Sequence, residues 1–333
     1  MANAYDYFPY EHYITESKSV FTTYGTRGAF VILQLVFNVV LALGLYSFLV
    51  LSRFSPFKIE FYWVSAVGVS SLLGILIYLL QNVGFEFSFI QSNMMSYSRY
   101  RIYGLALEPQ YMALYIMPAC FIALKNKWYG RLAICMCAFI LTFSTTLLVA
   151  FGVSLLWLYV RSGNVLQKVK YFPLLLILLP VVVYFSYEKA FSFVNSITSV
   201  SDSTSDYARA YSMYIAFQLI KEHWLTGVGL GNFSYYFEWR GEEKIFNVAN
   251  IFLRIATEAG VVGLVLFAAS LYNLHRNFKS LGLYYYAIFI CMMIYFFVNS
   301  TFYFMLSFWL LFSLILAIKR GKEIEASRCN SHV

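Results

Sequence analysis

Apolar runs recur along almost the whole chain, at 29–51, 60–81, 110–124, 131–146, 147–161, 171–186, 250–274, 282–299 and 302–319. One long polar stretch, 187–249, interrupts them. Runs of this kind predict membrane-spanning helices joined by short connections. Composition agrees: the 333 residues are 61% hydrophobic and 12% charged, with a mean hydropathy of +0.67. A soluble domain of this size cannot hide that much apolar surface. The expected fold is an all-α polytopic membrane protein of about nine transmembrane helices, with 187–249 as one large outer loop.

The formal net charge of +8 invites a nucleic-acid partner, but the Lys and Arg residues are scattered over short connections. That is the positive-inside distribution of a membrane protein, so no nucleic acid is expected. The 29 Tyr and 33 Phe suit interfacial belts and a lipid-facing exterior. Cys120, Cys135, Cys137 and Cys291 sit in apolar runs and Cys329 in the tail, none among ligand-like neighbours. Neither a disulfide framework, a metal site nor a cofactor is expected. Residues 1–28 are polar and aromatic, without the layout of a signal peptide.

The stretch 131–161 reads either as one helix of roughly 45 Å or as two short ones. Lys125, Lys127 and Arg131 precede it and Arg161, Lys168 and Lys170 follow it. Placing both clusters in the cytoplasm requires two crossings, with the corner near Phe143-Ser144-Thr145-Thr146. The same orientation puts the connection 82–109 and the loop 187–249 outside, where acidic side chains outnumber basic ones in the loop. The tail 320–333 falls in the cytoplasm and residues 1–28 outside. Either the first helix inserts with its N-terminus outward or helices upstream are missing.

The chemistry is expected in the polar stretch and at its edges. A helix predicted over Tyr207–His223 has an apolar face of Ala208, Tyr211, Ile215 and Leu219, with Ser205 or Asp206 as its cap. Arg209 in its first turn opposes the helix dipole, which suits an anionic partner such as phosphate; pairing with Asp206 is the plainer alternative. Gly227-Val-Gly-Leu-Gly-Asn232 lacks the spacing and the following Lys-Ser/Thr of a phosphate loop, so Gly227, Gly229 and Gly231 predict a tight turn. Asn250, Arg254 and Glu258, spaced by four, share one face of the helix that re-enters the membrane. They either line a polar outer cavity or leave Arg254 and Glu258 as a self-neutralising pair. Gly260 and Gly263 then permit close helix contact. In the connection 82–109, Arg99 and Arg101 precede Glu108-Pro109, where Glu108 is either a helix cap or a general base. No Ser-His-Asp, HExxH or CxxC arrangement is present.

These residues in this order resemble the O-antigen polymerase and O-antigen ligase superfamily. The resemblance rests on the arginine-headed helix, on His223-Trp-Leu-Thr-Gly-Val-Gly-Leu-Gly-Asn-Phe233 and on the Asn250–Gly263 opening of the next span. Gly104-Leu-Ala-Leu-Glu-Pro-Gln-Tyr-Met-Ala113 and the corner Leu141-Thr-Phe-Ser144 match its earlier motifs. Trp224 stands where proline is common in the family, Thr145 where arginine is common, and Ala249 where ligases carry histidine. The resemblance implies a fold related to the membrane-embedded C-type glycosyltransferases and polymerisation of undecaprenyl-pyrophosphate-linked repeats at the outer face of the bacterial inner membrane. Ligation to lipid A–core is the alternative within the superfamily, and a transporter or flippase the alternative outside it. Under this resemblance Arg209, Arg101 and Arg254 hold the pyrophosphate. Glu108 is the leading base ahead of Glu258, which orients Arg254, and Asn250 binds a sugar or phosphate oxygen. The implied partners are lipid-linked oligosaccharides, membrane lipid, a chain-length regulator and a flippase.

Overall fold

The computed structural model describes residues 24–85, 101–102, 109–163, 180, 205–233, 248, 250–298 and 306–330. Among them are nine helices and no strand. In chain order they are α1 (Tyr24–Leu51), α2 (Pro56–Asn82), α3 (Pro109–Lys125), α4 (Tyr129–Leu141), α5 (Thr145–Arg161), α6 (Ser205–Glu222), α7 (Ile251–Leu281), α8 (Leu283–Phe296) and α9 (Leu306–Asn330). Val31–Leu51, Pro56–Asn82 and Ile251–Leu281 are long and apolar enough to cross a membrane, while α4, α5 and α8 are shorter apolar helices. The run 171–186 lies outside the described residues.

The chain divides into two compact units: Met1–Val40, Glu188–Leu274 and Phe296–Leu306 in one, Leu41–Tyr187, His275–Tyr295 and Ser307–Val333 in the other. In the second unit α3 is buried almost all round from Met112 to Leu124. A helix apolar on every face demands neighbours on every face. Helices α2, α4 and α5 supply them, and Phe151 of α5 packs against Phe121 of α3 (4.7 Å between ring centroids) and Phe139 of α4 (5.3 Å). In lipid such contacts act through dispersion and shape rather than exclusion of water. The 131–161 stretch folds as two helices, α4 and α5, broken at Thr142–Ser144. Phe143 takes a left-handed φ of 48° there.

A polar staple ties the same unit together. Glu60 in the first turns of α2 is 1% exposed. Its carboxylate accepts from Lys125 Nζ at the end of α3, Asn126 Nδ2 just beyond it and Tyr285 Oη on α8. A buried carboxylate is tolerable only with such partners.

The fate of 320–333 differs from a simple tail, since α9 continues through it to Asn330. Glu323 pairs with both Lys319 (3.8 Å) and Arg320 (3.2 Å) along the helix, and Lys319 Nζ also donates to Asn277 Oδ1 at 2.8 Å. Neighbouring opposite charges of this kind support a helix beyond the last apolar turn.

The expected single span at 250–274 requires correction. Helix α7 is interrupted at Gly260 (φ 63°, ψ −164°), a conformation closed to residues with a side chain. In a straight helix the Cα atoms of Phe252 and Phe267 would lie roughly 22 Å apart. Their ring centroids are instead 5.7 Å apart, and Phe252 also meets Phe297 at 4.8 Å. The two arms, 251–259 and 261–281, therefore fold back on one another as a helical hairpin. The longer arm measures about 31 Å, enough to span a bilayer by itself. Gly263 does permit a close approach, but to the short arm of its own helix, where a Cβ would meet Ala259 Cβ at 2.3 Å.

Candidate active site

Three segments of the first unit meet around one apolar cluster: Ile215, Ala216 and Leu219 of α6, Val228 and Phe233 of the glycine loop, and Val248 just before α7. Tyr211 of α6 and Leu253 of the short α7 arm pack against it. The cluster places the helix that carries Arg209, the glycine loop and the arm that carries Arg254 and Glu258 side by side.

The buried stripe of α6 is Ser212, Ile215, Ala216 and Leu219. Position 209 shares the stripe's register, one turn before Ser212 and two before Ala216. The helix starts at Ser205, so Ser205 and Asp206 are already helical and position 209 falls in the second turn rather than the first. The dipole effect fades beyond the first turn, which weakens that part of the expectation for Arg209.

Asn250 starts the short arm. Its Oδ1 accepts from the backbone N–H groups of Phe252 (2.8 Å) and Leu253 (3.2 Å), and its Nδ2 donates to the Phe297 carbonyl at 3.2 Å. Asn250 is therefore the N-cap of this arm and its tether. Asn250→Ala is expected to cost about 1 kcal/mol. A lower thermal midpoint in detergent would register that loss, whereas an unchanged midpoint with lost activity would give Asn250 a direct chemical role.

Further along the arm, Arg254 Nε donates to Glu258 Oε1 at 3.1 Å, and both side chains are buried (7% and 1% exposed). The second oxygen, Oε2, accepts the backbone N–H of Gly231 at 3.0 Å. Glu258 thus clamps the arginine with one oxygen and the glycine loop with the other, an arrangement for holding rather than for taking a proton.

The loop closes the break in α7. Beyond Gly260 the Val261 N–H cannot reach its ordinary helical acceptor, Thr257 O, and the last carbonyls of the short arm lose their donors. Trp224 O accepts from Val261 N (2.8 Å), while Val228 N donates to Thr257 O (2.9 Å) and Gly229 N to Glu258 O (2.8 Å). Gly227, Gly229 and Gly231 all have left-handed φ, at 69°, 94° and 76°. At Gly227 the need is also one of space, because a Cβ would lie 2.4 Å from the Glu258 carbonyl carbon. Asn232 Nδ2 donates to Val228 O at 3.2 Å and finishes the turn.

Arg101 lies in the other unit and has a defined task there. Its Nε donates to Thr142 O (2.9 Å) and its Nη2 to Phe143 O (3.2 Å), while Ile102 N donates to Leu141 O (3.1 Å). A guanidinium on the carbonyls of Thr142 and Phe143, just past the last residue of α4, caps that helix at the negative end of its dipole. Glu108 falls outside the described residues. Among the described residues no group of three or more His, Cys, Asp and Glu side chains is placed to hold a metal.

Two features escaped the sequence. Gly260 looked like a packing glycine because an apolar run continues on both sides of it. Its signal was glycine's own low helix propensity immediately after a charged pair. Glu60 opened an apolar run unremarked, although an ionisable group at the edge of a span already calls for a partner.

Helices of this length and hydropathy, with a buried ion pair clamped to a polar loop, define a membrane-embedded helical protein. Residues 131–268 match the family model described as O-antigen ligase, which supports placing the chain in the superfamily of O-antigen ligases and polymerases. That family indicates a glycosyltransferase-like enzyme of polysaccharide or lipopolysaccharide assembly. No curated protein and no solved structure matches the chain.

Proposed function

We propose that this protein polymerises oligosaccharide repeats carried on undecaprenyl pyrophosphate, at the outer face of the bacterial inner membrane. A hydroxyl of one lipid-linked repeat attacks the anomeric carbon of the growing chain's first sugar. A new carbon–oxygen bond forms, the bond from that carbon to the pyrophosphate oxygen breaks with its electron pair, and the configuration inverts. The hydroxyl proton passes to a carboxylate, for which Glu108 is the leading choice. Negative charge accumulates on the departing pyrophosphate, so cations fixed in advance at that position lower the barrier.

The observation that carries this reading is the Arg254–Glu258–Gly231 clamp on an arm packed beside the Arg209 helix. An arginine with one edge fixed by a carboxylate is pre-oriented for phosphate oxygens, which its planar fork suits better than an ammonium does. Arg209 and Arg254 are the leading pyrophosphate ligands, and Arg101 ranks below them because two of its N–H groups cap α4. Asn250 contributes chiefly by starting the arm. A chain-length regulator and a flippase are the expected partners, and the C-terminus is expected in the cytoplasm.

Ligase activity is the second reading, favoured by the description of the matched family model. Against it stands Ala249, where ligases of the superfamily carry histidine. Deleting the gene in its host and running lipopolysaccharide on a gel separates the two. Collapse of the ladder to core plus a single repeat is the expected result for a polymerase. Bare core with polymer accumulating on the lipid carrier would mean ligase, and an unchanged ladder would remove O-antigen from both.

A further inference from the structure

The glycine loop and the break in α7 interlock at distances that leave no room for a methyl group on either side. A Cβ at position 227 would lie 2.4 Å from the carbonyl carbon of Glu258, 2.6 Å from its oxygen and 2.6 Å from the nitrogen of Ala259. A Cβ at position 260 would lie 2.2 Å from the oxygen of Leu225 and 2.7 Å from the nitrogen of Gly227. Each overlap is with backbone, which cannot swing aside as the end of a long side chain can. Adding a methyl therefore separates loop from arm. That separation breaks a specific relay: Gly231 N–H holds Glu258 Oε2, and Glu258 Oε1 holds Arg254 Nε.

We propose that Gly227 and Gly260 are positioning residues for Arg254. Resting on the polymerase reading above, this assigns them control of how the guanidinium meets a lipid pyrophosphate, although neither touches it. The relay runs from the close approach at Gly227, through the backbone of Glu258 and the Gly231 N–H, to the side-chain pair. Two N–H groups of the loop, Val228 and Gly229, cap the end of the arm and keep the register of that relay fixed. Register matters because a carboxylate released from Gly231 is free to rotate, and the arginine then follows it or loses it.

The test is a double-mutant cycle on binding, measured with radiolabelled undecaprenyl pyrophosphate and purified full-length protein in nanodiscs. Arg254→Ala and Gly227→Ala are each expected to weaken binding by roughly tenfold or more, the scale of one charge-assisted contact. The double variant is expected to bind no more weakly than Arg254→Ala alone, since residues that act as a unit are not additive. Gly282→Ala is the control for backbone strain. Gly282 has φ 109° with nothing within 4 Å of a would-be Cβ, so its variant should bind as the wild type does. If Gly227→Ala does not fold, Glu258→Gln, which keeps the side chain's shape, takes its place in the same cycle. Wild-type binding by Gly227→Ala, or a penalty that multiplies with that of Arg254→Ala, would reduce the glycines to a structural role. Equal binding by wild type and Arg254→Ala is a different outcome: it removes pyrophosphate from Arg254 and takes the positioning role with it.

Discussion

Replacing Arg209 with alanine is expected to abolish polymer while the protein remains in the membrane at its normal level. Helix α6 is held by its buried stripe of Ser212, Ile215, Ala216 and Leu219 and by its packing on the glycine loop. The substitution leaves the cluster's members on this helix, Ile215, Ala216 and Leu219, unchanged. Under the proposed reaction the substitution removes a cation from the place where the pyrophosphate departs. Loss of a single group that stabilises developing charge costs on the order of 10²–10³ in rate, enough to erase a polymer ladder. Lysine at the same position should restore only part of it, because an ammonium lacks the fork that grips two oxygens. Chain length equal to wild type in Arg209→Ala, at matched protein level on an immunoblot, would take Arg209 out of the site.

Glu60→Ala is expected to have the largest effect on stability. The substitution strands three donors at once, on Lys125, Asn126 and Tyr285, and it unties α2 from the end of α3 and from α8. Removing one partner of a buried ion pair typically costs about 3–5 kcal/mol. Here the figure belongs near the lower end, because the Lys125 side chain is 25% exposed and can turn towards water. A marked fall in the thermal midpoint of the detergent-purified protein is the expected reading. Glu60→Gln, which keeps the shape and part of the hydrogen bonding, should fall less. A midpoint unchanged in Glu60→Ala would mean that the staple contributes nothing to holding the helices together.

Much of this molecule was legible from hydropathy, because lipid imposes helices on long apolar runs. The α4–α5 break was legible from charge, since the expectation that both basic clusters share one side of the membrane requires the stretch between them to turn back. The interruption at Gly260 was not. Hydropathy is blind to direction, and the run 250–274 stays apolar through the reversal. The backbone of Gly260 and the approach of Phe252 to Phe267 reveal it. The consequence for the site is large, because Arg254 and Glu258 sit on a short folded-back arm and not on the long arm that matches a bilayer's thickness. Their pairing, by contrast, was legible from spacing alone, since residues four apart on a helix face each other. Arg101 shows the opposite limit. Its residue type suggested an anion, but the fold supplies negative partial charge of its own at the end of α4. Asn250 likewise invited a sugar contact, and its position at the start of a helix accounts for its hydrogen bonds instead.

The most direct measurement is reconstitution: the purified protein in liposomes with one synthetic substrate, a single oligosaccharide repeat on undecaprenyl pyrophosphate. A polymerase converts it, with no nucleotide added, into a ladder of products spaced by one repeat, and releases undecaprenyl pyrophosphate in step. Unchanged substrate after prolonged incubation, with the protein verified as folded, would contradict the proposed reaction. Transfer only when lipid A–core is added would replace it with ligation.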